Sequence, residues 1–311
     1  MKINRNLTIV TYHYVRNIRN SQFPKIKGLE FKKFKKQLDY LQENYNIITT
    51  KELINAKKNI KELPINACYL TFDDGFKDHI KYVLPEILKR KIHSSFFIPG
   101  LVFNEKKVLN VHKIHFILAS VNNYRLLKNK IETLALENGL VKFDLKKFWK
   151  KYGKPNSYDT AEVNYIKRLL QRAFSLKLRN KIINKLFREF VRETESSFSK
   201  KLYMSKNDIK KLVKSGMYVG CHGYSHNWLD SLTYNEQKKD IKAGIKSLKK
   251  IGVFKKDWIM CYPYGAYNID TLNILKKEKC LIGLTVKKGF ANLGTMNSLT
   301  LPRLDTNELP K

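Results

Sequence analysis

Along the first hundred residues, short β-branched and aromatic runs alternate with stretches whose apolar positions recur every three or four residues. Residues 9–15 read as a strand. Residues 30–45 carry Phe31, Phe34, Leu38 and Leu41 at helical spacing, and residues 46–49 read as a short strand ahead of a helix capped by Thr50. Residues 67–72 form the next strand. Ile80, Val83, Leu84, Ile87 and Leu88 make the following helical stripe, and residues 95–98 are a strand closed by Pro99 and Gly100. The same alternation returns beyond residue 201. Ser205 with Asp208 and Thr233 with Glu236 read as capping boxes, opening helices that end near Gly216 and Gly252. Residues 217–221, 258–262 and 281–286 supply further strands. Strands alternating with helices predict a parallel sheet with helical crossovers, and about seven strands favour a closed, irregular (β/α) barrel over an open sheet. The chemistry of such a fold belongs at the carboxyl ends of its strands.

Between residues 101 and 201 the alternation stops and the pattern is helical, most continuously over residues 161–194, with few Gly or Pro to interrupt it. The predicted organisation is a barrel of residues 1–100 and 202–311 with a helical insertion at 101–201. An insertion leaving the catalytic end of a barrel suits a lid or substrate-selecting cap. His112 and His115 stand three apart inside it, but no carboxylate flanks them closely, and they read as structural.

Composition narrows the function classes. A chain of 311 residues, 43% of them hydrophobic, can bury a sizeable core, and one barrel with one insertion accounts for it. Cys68, Cys221, Cys261 and Cys280 show no paired spacing, so neither a disulfide framework nor a zinc knuckle is indicated, and a reducing compartment is expected. No basic segment followed by a long apolar core opens the chain, and no run approaches the length of a membrane span, so a cytoplasmic location is expected. The net charge of +34 raises nucleic acid as a partner. Yet 50 of the 61 basic residues are Lys, scattered along helices in a chain also rich in Asn and Ile, the skew of an AT-rich genome, and no DNA-binding motif accompanies them. Nucleic acid is therefore excluded as the expected partner. A positive field still favours phosphate-bearing sugar donors, lipid-linked glycans or peripheral contact with an anionic membrane face.

Two clusters carry the chemistry. Thr71-Phe72-Asp73-Asp74-Gly75 ends one predicted strand, and His222-Gly223-Tyr224-Ser225-His226 follows another. Side chains alternate across a strand and Gly75 permits a sharp turn, so adjacent Asp73 and Asp74 point in different directions, one free to bind a metal and the other not. Two His four apart share a face of a helical turn or a tight loop. Alone, each cluster is an ordinary turn or a chance pair. At two strand ends of one barrel, Asp74, His222 and His226 make three protein ligands with room for water, the pattern of a catalytic site.

With Cys261-Tyr262-Pro263-Tyr264-Gly265 as a third segment, the chain resembles the NodB-like polysaccharide deacetylases, carbohydrate esterase family four, over residues 5–100 and 202–306. The resemblance implies that Asp73 is the catalytic base, that Asp74, His222 and His226 hold the metal, and that Pro263 and Tyr264 line the substrate groove. Three departures stand out. Gly223 occupies a place that usually carries Ser or Thr, which removes a hydrogen bond that steadies the loop. Cys261 stands where an Arg is common, leaving Arg303, the only Arg among the last hundred residues, as the candidate to hold the base. Arg303 and Asp305, in Leu301-Pro302-Arg303-Leu304-Asp305, are also candidate substrate-binding residues. No Leu-x-His follows the last strand. His13, at the end of the first, looks instead like the general acid of the circularly permuted branch.

The implied reaction is metal-dependent hydrolysis of an N-acetyl group on an amino sugar of a surface glycan or of its nucleotide- or lipid-linked precursor. Zinc is the first choice for mixed nitrogen and oxygen ligands, and iron, cobalt, nickel or manganese also fit. N-deformylation of a lipid-linked amino sugar is an alternative within the same chemistry. A catalytically silent carbohydrate-binding barrel is the alternative from another class.

Overall fold

The computed structural model describes residues 5–310. They fall into two compact units, one built from the residues up to Asn17, Gly28–Lys107 and those from Ser199 onward, the other from Ile18–Lys27 and Val108–Phe198.

The first unit is built on a nine-stranded, mostly parallel sheet. Its principal strands are β1 (Asn6–Tyr12), β2 (Ala67–Asp73), β3 (Ser95–Ile98), β4 (Tyr218–Cys221), β5 (Ile259–Cys261), β6 (Ile282–Leu284) and β7 (Leu304–Asp305). β1 to β6 are parallel neighbours in that order, and β7 runs parallel to β1 on its other side. The ring closes through Leu301, which bridges Leu284 of β6 three residues before Leu304 begins β7. The fold is thus an irregular (β/α) barrel. Asn46–Ile47 lengthens the sheet beside the start of β2, and Ala291–Asn292 pairs antiparallel with the start of β1.

Every residue of β2 is buried, as befits a parallel strand covered on both faces. Alternation then sorts its side chains. Tyr69 joins Ile9, Phe97, Ile259, Cys261, Ile282, Leu284 and Leu301 in one apolar cluster of the barrel. Phe72, on the opposite face, stacks between Tyr12 and Phe96 at 5.0 Å each and meets Phe34 of the helix Phe31–Asn44 edge-on. Asp73 shares the parity of Tyr69 and Thr71, so the last carboxylate of β2 turns inward at its carboxyl end.

Helix signals in the sequence hold closely. Both capping boxes form, opening the helices Lys206–Lys214 and Tyr234–Lys250, and Gly216 and Gly252 follow their ends at φ +82° and +76°. One cap moves. Thr49, not Thr50, caps the helix Thr50–Lys57, because Glu52 is three residues beyond Thr49 and returns a bond to its N–H. The apolar stripe after β2 begins as a wide π turn, His79–Val83, before the helix Leu84–Lys89.

The second unit is helical: Asn110–Ser120, Tyr124–Leu136, Lys142–Tyr152, Ala161–Arg168 and Leu176–Val191. The continuous helical pattern of residues 161–194 breaks at the π turn Leu169–Ala173, after which Ser175 caps the next helix. Ile18–Lys27, which the sequence pattern grouped with the barrel, belongs to this unit because Phe23 packs edge-on against Phe116 and Phe198. Among the described residues, His112 and His115 join no group of metal-ligating side chains, and no helix is long and apolar enough to cross a membrane.

A candidate metal centre beside a tethered carboxylate

The two adjacent aspartates separate at the strand end. Asp73 closes β2, while Asp74 adopts φ +73° and Gly75 φ +69°, which swings the second carboxylate out of the strand's alternation. A Cβ at Gly75 would lie 2.7 Å from Ile98 Cγ2, so both the close approach and the positive φ require glycine there.

Asp74 meets the two histidines on a loop, not a helix. His222 leaves β4 directly, and His226 turns back at φ +55°. Asp74 Oδ1 lies 3.5 Å from His222 Nε2 and 3.2 Å from His226 Nε2, and all three residues are buried. Such left-handed geometry at two non-glycine ligands is strain of the kind that accumulates at functional sites.

What steadies this loop was not legible as a motif. Asp240, from the helix Tyr234–Lys250, accepts from Tyr224 N–H through Oδ2 and from Ser225 N–H through Oδ1, each at 2.9 Å. Gly223 sits at φ +68°, and a Cβ there would stand 2.7 Å from Asp240 Oδ2. Its lack of a hydroxyl, which the sequence pattern read as a lost hydrogen bond, is the space the Asp240 carboxylate occupies.

The orientation of His222 comes from its other nitrogen. Nδ1–H donates to the Cys261 carbonyl at 2.7 Å, which leaves the Nε2 lone pair on the side of Asp74. Burial opposes charge on this imidazole, but Cys261, Asp74 and Asp73 outweigh burial and raise its pKa well above the ordinary value. One carboxylate oxygen and two imidazole nitrogens within 4.8 Å of one another are a donor set that suits a borderline divalent ion, so the residues fit a metal. Asp73, His222 and Cys261 lie equally close together. That grouping is a poorer ligand set, since Asp73 is engaged by Arg303 and burial holds the Cys261 thiol protonated.

Asp73 is tethered by Arg303 in a two-pronged bond, Nη1 to Oδ1 at 3.1 Å and Nη2 to Oδ2 at 2.8 Å. Arg303 also donates through Nε to the Thr285 carbonyl at 2.7 Å and through Nη1 to Thr71 Oγ1 at 3.1 Å. Cys261 Sγ–H and Thr11 Oγ1–H donate to Asp73 Oδ2 at 3.3 and 3.4 Å. Burial pushes the Asp73 carboxyl up, but Arg303, His222 and His13 outweigh it and hold the group at about 2.

His13 follows β1 with Nε2 3.8 Å from Asp73 Oδ2, and its side chain is 41% exposed. Tyr264, at φ +57°, stacks on Trp228 at 4.3 Å and meets His226 edge-on at 4.8 Å. Pro263 is buried within the same short turn. The structure therefore gathers Asp73, Asp74, His13, His222, His226, Tyr264 and Arg303. Arg303, which the sequence offered as a substrate-binding candidate, is fully buried with its guanidinium on Asp73. Asp305 caps the turn Thr306–Glu308, accepting from Asn307 N–H at 2.8 Å. Thr11, Trp228 and Asp240 went unnoticed in the sequence because no local pattern links them to the site.

A family model described as polysaccharide deacetylase matches residues 180–280, a stretch that contains His222, His226 and Tyr264. YxkH of Bacillus subtilis (strain 168), a protein named for the same family, is 27% identical over 96 residues, 31% of this chain and 34% of that protein's length. Among solved structures, the deacetylase PplD of Streptococcus pyogenes in complex with acetate is similar with a TM-score of 0.57 at 16% identity, covering 96% of this chain and 92% of that one. IcaB from Ammonifex degensii gives 0.57 at 18% identity, covering 98% and 93%. At these identities the likeness is one of fold.

Proposed function

We propose that this chain, which matches the polysaccharide deacetylase model over residues 180–280 and shares the fold of a solved deacetylase, is a metal-dependent hydrolase removing an N-acetyl group from an amino sugar of a surface glycan or its nucleotide- or lipid-linked precursor. The observation that carries this reading is the division of labour between neighbours. Asp74 converges with His222 and His226, while Asp73, one residue away, is held apart and ionised by Arg303.

Asp74, His222 and His226 are the residues that would hold the ion, zinc first, which when bound polarises the acetamide carbonyl and acidifies the attacking water. Asp73 takes the proton from that water. Its low pKa keeps it an acceptor throughout the neutral range, and the two-pronged Arg303 tether holds both of its oxygens in place. His13, with Nε2 3.8 Å from Asp73 Oδ2 yet open to solvent, protonates the departing amine. Its place at the end of β1 supports the permuted arrangement of the acid. Tyr264, braced by Trp228 and His226, walls the sugar's approach. Cytoplasmic action on an assembly-stage precursor belongs to the same reading, as does the helical unit in the role of substrate selector. Neither Gly223 nor Cys261 favours the silent binding barrel, because Asp240 and Arg303 supply what those positions lack.

The test is bound metal per chain by mass spectrometry, on protein purified without added metal and beside a His222→Ala, His226→Ala double variant, followed by acetate release from acetylated sugars. We expect about one equivalent in the wild type. No metal after reconstitution would overturn the hydrolase.

A further inference from the structure

His79 is a buried polar residue to which the reaction so far gives no task. It is fully buried at the start of the π turn that follows the Asp73–Asp74 strand end, among the rings of Phe72, Phe76 and Phe96. Nε2 lies 2.7 Å from the carbonyl oxygen of His13. A carbonyl only accepts, so Nε2 carries the hydrogen and the ring is the Nε2–H tautomer. Nδ1 has no hydrogen-bond partner among the described residues. An imidazole buried in an aromatic box at the cost of an unmet nitrogen, with one bond to show for it, points to that bond as its use. π turns inserted in helices recur at functional sites.

Two further contacts join the same segments. Phe76 stacks on Tyr14 at 4.1 Å, and Asp78 accepts from Arg16 Nε at 2.6 Å. Residues 76, 78 and 79, just past the candidate metal ligand Asp74, thus grip residues 14, 16 and 13, just past β1. The His13 ring needs such a grip. Its side chain is 41% exposed and approaches Asp73 no closer than 3.8 Å, so its backbone sets where the ring stands.

We infer that His79 is a positioning residue for His13, fixing the backbone of the proton donor against the loop that carries the base and the metal ligand. This rests on the reading of His13 as general acid. His79 touches no reacting atom. Its effect is confined to steps that need a proton delivered to the leaving group, and activated esters, whose leaving groups need none, escape it.

The experiment compares wild type, His79→Phe, His79→Gln and His13→Ala. Gln offers an amide N–H near the position of Nε2, whereas Phe keeps the ring and loses the donor. First, the ring carbon signals of the seven histidines are followed by NMR in labelled protein, with His13 assigned by its loss in His13→Ala. His79→Phe should shift the His13 signal and leave those of His222 and His226 in place, and His79→Gln should restore it. An unmoved His13 signal overturns the inference. Next, zinc-loaded proteins are assayed on 4-nitrophenyl acetate and on an N-acetylglucosamine tetramer. His13→Ala should lose ~100-fold in kcat on the amide and little on the ester, and His79→Phe ~10-fold on the amide with KM and metal content unchanged. If His13→Ala loses equally on both probes, or if the wild type acts on neither, the acid reading fails and the inference with it. If His13→Ala shows the split and His79→Phe does not, the inference alone fails. Should His79→Phe not fold, Arg16→Gln loosens the same grip from outside and should shift the His13 signal in the same direction; no shift overturns the inference.

Discussion

Arg303 reaches Asp73 across 230 residues of sequence and meets it with two parallel hydrogen bonds of 3.1 and 2.8 Å, both side chains buried. Removing either charge of such a pair leaves the other uncompensated in the interior, which typically costs 3–5 kcal/mol; Asn at position 73 still offers the guanidinium an acceptor oxygen, whereas Met at position 303 offers the carboxylate no donor. Asp73→Asn should therefore fold, keep its metal and lose most turnover, while Arg303→Met should unfold at markedly lower temperature. Calorimetry with metal analysis checks both. Wild-type rates in Asp73→Asn would remove Asp73 from the mechanism.

The same pair sets an acid limit. The Asp73 pKa is lowered in the fold from 3.8 to about 2, so its contribution to stability is complete above pH 3.8 and is lost as pH falls through about 2. The difference amounts to about 2 kcal/mol. In ion-free protein, denaturant titrations of wild type and Asp73→Asn should converge by this amount as pH falls over that window. Parallel curves would show that the tether does not depress the carboxyl.

His79 gives a second, separate pH dependence. Burial depresses its pKa from 6.5 to about 4, so the fold binds fewer protons there than the unfolded chain does. Its contribution is complete above pH 6.5 and is lost as pH falls to about 4, about 3 kcal/mol in all. His79→Phe should be less sensitive to acid than wild type between those values. An identical pH slope in the two proteins would mean that the buried ring is charged or solvated.

Gly223 should resist repair. Gly223→Ser, which brings back the residue common in the resembled family, drives a Cβ to 2.7 Å from Asp240 Oδ2 at a backbone φ of +68°. We expect a loss of about 1–3 kcal/mol and weaker metal retention. Asp240→Asn keeps one acceptor of two and should weaken retention less than Asp240→Ala. Metal release into a chromogenic chelator measures all three, and tighter retention in Gly223→Ser would refute the steric account.

The cysteines should be inert in the native state. Burial pushes Cys68 and Cys221 up to about 12 and also raises Cys280. Cys261 is raised by burial against the opposing pull of Arg303 and His222. Iodoacetamide at neutral pH should modify none of the four until denaturant is added, read by intact mass. Rapid native labelling of Cys261 would place a thiolate beside Asp73.

Much of the barrel was legible because its elements announce themselves locally. Capping boxes at Ser205 and Thr233, strand runs ending at Asp73 and Cys221, and glycines after helices each depend on neighbours in sequence. His222 and His226 were legible for the same reason. Asp240, Thr11 and His79 were not, since each acts through a bond to a distant backbone or side chain that no spacing encodes. Asp305, read from its place beside Arg303 as a candidate substrate-binding residue, caps the turn Thr306–Glu308, which no spacing announced. The helical unit shows a third kind of miss. Residues 161–194 have one apolar periodicity, yet a π turn and the Ser175 cap divide it, because a change of helix direction leaves little trace in hydrophobicity.

The closure of the ring by the segment from Leu301 to Asp305 has a consequence for how the protein comes into being. During synthesis, the strand carrying Asp73 leaves the ribosome more than two hundred residues before Arg303 does. Throughout that interval the carboxylate lacks the guanidinium that offsets its burial, and the inner face of the sheet lacks its final neighbour. The Asp73 carboxylate therefore reaches its tethered state as one of the last events of folding, and any nascent or shortened chain ending before Arg303 lacks that tether however well Asp74, His222 and His226 are placed.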